Sequence, residues 1–189
     1  MGLEAIAAEV RACEKCGLCR TRTNAVPGEG PPDAAIMFVG EGPGQREDEQ
    51  GRPFVGAAGS LLNQLLLKAG LRRPEVFITN IVKCRPPGNR DPLPDEIEAC
   101  RGYLDRQIEA LRPSVVCTLG RPASQTLIDA TLSISREHGT ARKVGDITYV
   151  PLYHPAAALH QQQLRPILVE DMRRLGPFLK GRSQVTGDR

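Results

Sequence analysis

Apolar residues follow two different spacings along this chain, and the two spacings alternate. Short, continuous apolar runs are typical of buried parallel strands, and they are found at residues 34–40, 75–84 and 114–120. Helix-forming segments lie before, between and after these runs, at residues 3–10, 57–70, 95–112, 121–130 and 166–179. Residues 138–154 read as a polar hairpin that leads into a fourth strand. We therefore predict a three-layer α/β/α fold around a central, mainly parallel four-stranded sheet.

Three polar side chains stand where predicted strands end: Glu41, Asn80 and His154. In folds built on parallel strands, ligands bind outside the carboxyl ends of the strands. We therefore expect a carboxylate, an amide and an imidazole to converge on one crevice, and this coincidence favours a catalytic site. The segments that follow two of these strands, residues 41–56 and 85–96, are predicted to be long loops.

Length and composition indicate one domain. The chain has 189 residues, 40% of them hydrophobic, and no linker, so residues 1–180 are predicted to form a single domain and residues 181–189 a flexible tail. No signal peptide and no apolar run of about 18 residues is found, so we expect a cytoplasmic monomer without membrane contact. The net charge of +3 is compatible with a polyanionic partner but does not select one.

Six cysteines in a chain without a secretion signal indicate metal ligation rather than disulfide bonds. The candidate ligands are Cys13, Cys16, Cys19, Cys84 and Cys100. A CxxC pair and two distant cysteines can hold either Zn²⁺ or a 4Fe-4S cluster, and spacing does not choose between them. It also leaves open which two of the three N-terminal cysteines are ligands. Cys117 lies inside an apolar run and is expected to be a core residue.

The loop after the first strand combines glycines with acidic residues. Its start, GEGPG, is similar to a phosphate-binding turn, but the GxGxxG pattern is absent and no GKS or GKT follows, so nucleotide binding is weakly supported. Glu41 and Glu47 are candidates for holding a water molecule or a cation near an anionic ligand. For Asp48 and Glu49, a solvated acidic loop explains the sequence equally well.

Three further side chains have both a functional and a structural interpretation. Phe54, between Pro and Gly, can form the floor of a stacking site or fill the core. Asn80 can donate to and accept from a base edge, or cap a turn. His154 can stabilise a leaving group near neutral pH, although a single histidine is more often structural.

Three long motifs closely resemble those of family-four uracil-DNA glycosylases: GEGPGQREDEQGRPFVGAAGSLL, VFITNIVKCRPPGNRDPLPDE and YHPAAAL. The resemblance spans about residues 13–175. It implies an enzyme of base excision repair that acts on uracil-containing DNA, single- or double-stranded. The implied reaction is hydrolysis of the N-glycosidic bond of a flipped-out deoxyuridine, which leaves an abasic site. No lysine stands out in the motifs as a Schiff-base nucleophile, so we expect a monofunctional enzyme.

The resemblance also implies a 4Fe-4S cluster rather than zinc, with ligands Cys13, Cys16, Cys84 and Cys100. In the family this cluster is understood to be structural. The loop between the last two ligands lies near DNA, which implies phosphate contacts for Arg85 and Arg90.

By the same resemblance, the pocket residues receive individual roles. Phe54 is expected to stack on uracil, Asn80 to bind its polar edge, and His154 to stabilise negative charge on O2. Gly42 is expected to contribute a backbone contact. Glu41 is the candidate for positioning the attacking water and Glu47 for excluding the thymine methyl, and the sequence does not rank these two roles.

One segment departs from the family pattern. The stretch HPAAALHQQQLR has His160 where the family commonly has arginine, which puts DNA insertion or phosphate contact there in doubt. Two alternatives to uracil excision also remain. One is a non-catalytic iron–sulfur module that binds nucleic acid. The other is the same scaffold with another specificity, such as hypoxanthine or xanthine removal.

Overall fold

The structure, a computed structural model, describes residues 2–179, so the predicted tail at residues 181–189 lies outside the described residues. The strands are β1 (Ile36–Gly40), β2 (Phe77–Asn80), β3 (Val115–Leu119), β4 (Arg142–Val144) and β5 (Ile147–Leu152). The helices are α1 (Leu3–Arg11), α2 (Gln45–Gln50), α3 (Ala57–Lys68), α4 (Pro94–Leu111), α5 (Arg121–Leu127), α6 (Ile134–Glu137), α7 (Pro155–His160), α8 (Leu164–Arg173) and α9 (Gly176–Leu179).

The strands form one sheet in the order β2-β1-β3-β5-β4. The first four of these strands are parallel, and β4 pairs antiparallel with β5. The predicted three-layer α/β/α architecture is confirmed, with five strands rather than four. The additional strand is the first arm of the predicted hairpin. Its three residues lie at the sheet edge, largely exposed to solvent, so they carry no buried-strand pattern.

The two faces of the sheet are covered by different helices because successive side chains of a strand point in opposite directions. Ile36 and Phe38 of β1 pack in the cluster that includes leucines of α3 and α8. Met37 and Val39 pack with Leu104 of α4 and other residues on the opposite face. Both faces of the central strands are fully buried, which explains their continuous apolar sequence.

The N-terminal segment packs on α4 beside the sheet. Ile6 and Val10 of α1 are buried in a third cluster with Tyr103, Cys84 and Cys100. Helix α1 ends just before the CEKCGLC run, which passes into a 3-10 turn at residues 17–20. This packing brings the N-terminal cysteines to the two distant ones.

Two expectations for chain segments were wrong in detail. Residues 41–56 are not wholly irregular, because α2 forms within them. Strand β2 ends at Asn80, whereas the apolar run continues to residue 84. Ile81 and Val82 are buried, but they turn out of the strand and bond through their N–H groups to Gly40 and Glu41. Cys117 is a buried core residue, as predicted. Among the described residues, no helix is both long and apolar enough to cross a membrane.

Candidate active site and metal centre

The carboxyl ends of the parallel strands open into a pocket of about 430 Å³. Glu41 follows β1, Asn80 ends β2 and His154 follows β5, and all three line this pocket, as the strand ends predicted. Loops contribute further lining residues, among them Gly42, Glu47, Phe54, Pro86, Asn89, Arg90 and Asp91. The pocket therefore combines an aromatic ring and other apolar groups with several polar and charged side chains.

His154 enters the pocket as a neutral hydrogen-bond donor. It is the N-cap of α7, and its Nδ1 accepts a hydrogen bond from the N–H of Ala156 at 3.0 Å. Burial lowers the pKa of His154 to about 4, against an opposing effect of the Glu47 carboxylate. Because Nδ1 is an acceptor, the single proton of the neutral ring lies on Nε2, where it can be donated to a ligand.

Glu41 is a carboxyl group poised to exchange a proton near neutral pH. Burial, and after it the neighbouring Asp91 carboxyl within hydrogen-bonding reach, raise the pKa of Glu41 to about 7. Arg121 acts in the opposite direction. A group that is half ionised at neutral pH can accept a proton from a bound water molecule.

Asn80 carries a buried acceptor without a protein partner. The residue is 1% exposed, and its Oδ1 has no hydrogen-bond partner within the described residues. Gly40 makes room for this amide, because a Cβ atom at that position would lie 2.5 Å from Oδ1 of Asn80 and 2.6 Å from Cζ of Phe54. Buried polar atoms are rarely left unpaired, so this acceptor indicates a ligand with a donor group.

The Phe54 ring reaches the pocket from a loop that Glu47 helps to hold. Oε1 of Glu47 accepts hydrogen bonds from the N–H groups of Val55 and Gly56, each at 2.8 Å. The carboxylate of Glu47 thus has a structural contact in addition to its place in the pocket lining. Gly42 also lines the pocket, and a Cβ atom there would lie 2.9 Å from a methyl group of Val82.

A second cavity, beside α1 and α4, contains the sulfur atoms. Five cysteines line it: Cys13, Cys16, Cys19, Cys84 and Cys100. No three His, Cys, Asp or Glu side chains of residues 2–179 are grouped so as to hold one metal ion. The donor set of five thiols around one cavity fits a 4Fe-4S cluster, whose thiolates bind different iron atoms and surround a volume instead of meeting at a point.

Burial raises the pKa of the Cys84 and Cys100 thiols, and Arg22 and Lys83 respectively act in the opposite direction. Nη1 of Arg22 donates to Sγ of Cys84 at 3.1 Å, and the backbone N–H of Lys15 donates to Sγ of Cys13 at 3.5 Å. Cys84 and Cys100 are buried, and hydrogen bonds to sulfur are a means of stabilising metal-bound thiolates inside a protein.

Comparison with known proteins agrees with this geometry. The model of the uracil DNA glycosylase superfamily matches residues 27–174. The type-4 uracil-DNA glycosylase of Sulfurisphaera tokodaii is 52% identical, over 92% of this chain and 83% of that protein. Those of Archaeoglobus fulgidus and Saccharolobus solfataricus are 48% and 50% identical, over 97% and 95% of this chain and 96% and 88% of those proteins.

The chain belongs to the type-4 uracil-DNA glycosylase family. The match to the Archaeoglobus fulgidus protein covers 97% of this family member, so it includes both the pocket and the N-terminal cysteines. The resemblance seen in the sequence motifs is confirmed.

The loop at residues 85–93 of this family member is held by hydrogen bonds of its own side chains. Nε of Arg85 donates to Oδ1 of Asn89 at 2.7 Å. Arg90 makes two bonds to the carboxylate of Glu96, at 2.7 and 2.9 Å, and a third to the carbonyl of Asp91. Arg85 and Arg90 thus support the loop, and both keep solvent-exposed surface.

Sequence reasoning missed Asp91 as a pocket residue. It belongs to the proline-rich loop, and its place beside Glu41 depends on how that loop folds back over β1. Its only sequence signal is an acid between an arginine and a proline in a loop next to the strand ends. His160, in place of the usual arginine, is the exposed last residue of α7 and does not line the pocket.

Proposed function

We propose that this chain is a monofunctional uracil-DNA glycosylase that hydrolyses the N-glycosidic bond of deoxyuridine in DNA and leaves an abasic site. The observation that carries the proposal is the buried, unpartnered Oδ1 of Asn80 in the pocket wall. The N3–H group of uracil supplies the missing donor, and leaving a buried acceptor unpaired is unfavourable. The identity to proteins named type-4 uracil-DNA glycosylases supports the same substrate.

The pocket selects a base that has left the duplex. A base inside the helix is out of reach, so the nucleotide must rotate outward, which costs a few kcal/mol and costs least where pairing is weak. Phe54 stacks on the extruded uracil, Asn80 binds its polar edge, and the backbone at Gly42 makes a further contact. Glu47 stands beside the loop of Phe54 and closes the pocket against the methyl group of thymine.

Bond cleavage follows from the states of His154 and Glu41. The C1′–N1 bond breaks and its electron pair leaves with uracil, whose negative charge on O2 accepts a hydrogen bond from the neutral Nε2–H of His154. A water molecule held by Glu41 attacks C1′ and forms the new C–O bond. Its proton passes to the Glu41 carboxylate, which is half ionised near neutral pH.

A lysine nucleophile has no support in this pocket. Among the described residues, no lysine is part of the pocket lining. Lys83 lies nearby in sequence and burial lowers its pKa to about 8, but it is 1% exposed. Its Nζ donates to Oγ1 of Thr79, Oε1 of Gln107 and the carbonyl of Asn80, which leaves no free position for a substrate.

We further propose that Cys13, Cys16, Cys84 and Cys100 hold a 4Fe-4S cluster. When bound, the cluster supplies a covalent link between the N-terminal segment, the segment that follows β2, and α4. That link supports the loop between Cys84 and Cys100, from which Arg85 and Arg90 contact DNA phosphates. The five-cysteine cavity and the hydrogen bond from Arg22 to Cys84 support this assignment.

The test is incubation of the anaerobically purified protein with a labelled uracil-containing oligonucleotide, followed by alkaline cleavage at abasic sites. A His154→Ala variant serves as the matched control. Scission by the wild type and a large loss in the variant supports the proposal. No scission by a folded protein with its full iron content would falsify it and would leave a nucleic-acid-binding module or another base as the explanation.

A further inference from the structure

The backbone at Phe54 is held in a conformation that is unfavourable for phenylalanine. Its φ angle is +50°, in the left-handed region that non-glycine residues rarely adopt. Its carbonyl group approaches Gly59 of α3 so closely that a Cβ atom there would lie 1.9 Å from the carbonyl oxygen. Such a conformation persists only where surrounding groups hold it in place.

Arg73 is the side chain that holds this backbone from outside the pocket. Its Nη1 donates to the carbonyl oxygen of Phe54 at 2.9 Å and to Oδ1 of Asn63 at 3.1 Å. Its Nη2 donates to the carbonyl oxygen of Pro53. The side chain is only 19% exposed, so these bonds are largely shielded from water.

Glu29 holds the guanidinium in turn. Nε and Nη2 of Arg73 donate to Oε1 of Glu29 at 3.1 and 2.8 Å. Glu29 is attached to β2 by two backbone hydrogen bonds with Ile78, at 2.8 and 2.9 Å. Arg73 thus connects the edge of the sheet to the loop that carries the Phe54 ring.

We propose that Arg73 is a positioning residue, which sets the Phe54 ring where it can stack on an extruded uracil. Arg73 does not line the pocket, and its contacts with the loop that carries the ring are to the backbone carbonyl groups of residues 53 and 54. The inference rests on the proposed function, because the position of the ring affects turnover only if the ring receives a base.

The geometry of the contacts explains why arginine is suited to this position. The guanidinium offers five donors in a rigid plane, and here it serves two carbonyl groups, an amide and a carboxylate together. A lysine ammonium can retain the ion pair with Glu29, but it has three donors around one atom. It cannot reach both carbonyl groups and the carboxylate in the same geometry.

Arg52 provides a matched control. It binds the same Glu29 carboxylate, through Nε at 2.9 Å and Nη2 at 3.1 Å, and its side chain is 57% exposed. The hydrogen bonds of Arg52 in the described region do not include Phe54 or Pro53. An Arg52→Ala variant therefore removes an ion pair to Glu29 and keeps the hydrogen bonds from Arg73 to the backbone of residues 53 and 54.

The experiment measures inhibition by free uracil and the single-turnover excision rate for wild type, Arg73→Ala, Arg73→Lys, Arg52→Ala, Phe54→Ala and the Arg73→Ala/Phe54→Ala double variant. Loss of base stacking weakens binding by about tenfold, and we expect Arg73→Ala to approach that loss in uracil inhibition. Affinity for DNA that already contains an abasic site should stay within about twofold, because no base stacks there. Arg52→Ala should match the wild type.

The double variant decides the mechanism. If Arg73 acts through the ring, its removal has almost no further effect once Phe54 is already alanine, so the two losses are strongly non-additive. Full additivity, or unchanged uracil inhibition in Arg73→Ala, overturns the inference. If the Arg73→Ala variant fails to fold, the same comparison is made with Arg73→Lys. A wild type without excision activity, by contrast, contradicts the proposed function itself, which keeps the two failures distinct.

Discussion

Phe54 and His154 face each other in the pocket with ring centroids 5.6 Å apart and ring planes inclined by 27°. A base sandwiched between two rings needs about 7 Å between them, twice the normal contact distance of about 3.5 Å. The two rings therefore do not form two walls of a stack. This geometry is compatible with the proposed function, in which Phe54 offers its face to the base and His154 offers its Nε2–H to the edge of the base.

The donor role of His154 leads to a first prediction. His154→Ala is expected to lower the single-turnover excision rate by about 10²–10³-fold, the usual effect of removing one donor to a developing anion. Because burial holds the pKa of His154 near 4, the ring stays neutral above pH 5, and protonation of His154 should not shape the wild-type rate above that pH. A rate unchanged by the substitution contradicts the assignment.

The carboxyl pair Glu41 and Asp91 predicts the pH dependence. The pKa of Glu41 is raised to about 7 by burial and by Asp91, so below this pH the carboxyl is protonated and cannot accept a proton from water. The rate should rise by about tenfold per pH unit below pH 7 and level off above it. Single-turnover rates between about pH 5 and pH 9, at saturating DNA, measure this profile.

Substitutions of Asp91 and Glu41 test whether these two carboxyl groups cause the pH dependence of the rate. Asp91→Asn removes a neighbouring negative charge, so the pKa of Glu41 falls and the loss of rate at acid pH begins at a lower pH. Glu41→Gln should abolish this dependence of the rate on acid pH. Asp95→Asn, in the first turn of α4, removes an acid from the same region and should leave this dependence unchanged. If the pH at which the rate begins to fall is the same in Asp91→Asn as in the wild type, Asp91 does not act on Glu41. The remaining charged or titratable groups around Glu41 are then Arg121, Arg90, Glu47 and His154.

The unpaired acceptor of Asn80 predicts a larger effect on uracil binding than on stability. Asn80→Ala is expected to weaken binding of free uracil by about 1–3 kcal/mol, because the N3–H group loses its partner. The same change leaves a small cavity, which lowers the free energy of unfolding. It also removes a buried unsatisfied atom, and this gain offsets part of that loss of stability. Uracil inhibition and the melting temperature measure the two effects. Strong destabilisation with unchanged uracil binding argues for a purely structural asparagine.

The cysteines are expected to fall into two classes. The proposed cluster holds about four iron atoms per chain, and Cys84→Ser or Cys100→Ser should lose them together with much of the thermal stability. Cys117→Ser is the control, since Cys117 is fully buried in the core and removed from the cavity, and should keep its iron. Cys19→Ser should also keep it if Cys13 and Cys16 are the N-terminal ligands. Iron loss in Cys19→Ser overturns the ligand set.

Much of the site was predictable because it depends on strand ends. Glu41, Asn80 and His154 come from separate parts of the chain, but each follows an apolar run, and parallel strands bring such positions to one edge. The edge strand β4 was predicted only as part of a polar hairpin and not as a fifth strand of the sheet, because its residues have no buried face to leave a pattern. Helix α2 was missed for the same reason, since its sequence is almost entirely polar.

The sequence by itself determined the order of the parallel strands and of the main helices between them, the crevice at the strand ends and the family motifs, because periodicity and residue type are properties of the chain. Only the tertiary structure decided which of two adjacent arginines contacts the loop of Phe54. Arg72 pairs with Glu75 at the surface, while Arg73 donates a hydrogen bond to the carbonyl oxygen of Phe54. It also decided the ionisation of Glu41 and His154. Burial and pairing set these properties, and both depend on neighbours that are distant along the chain.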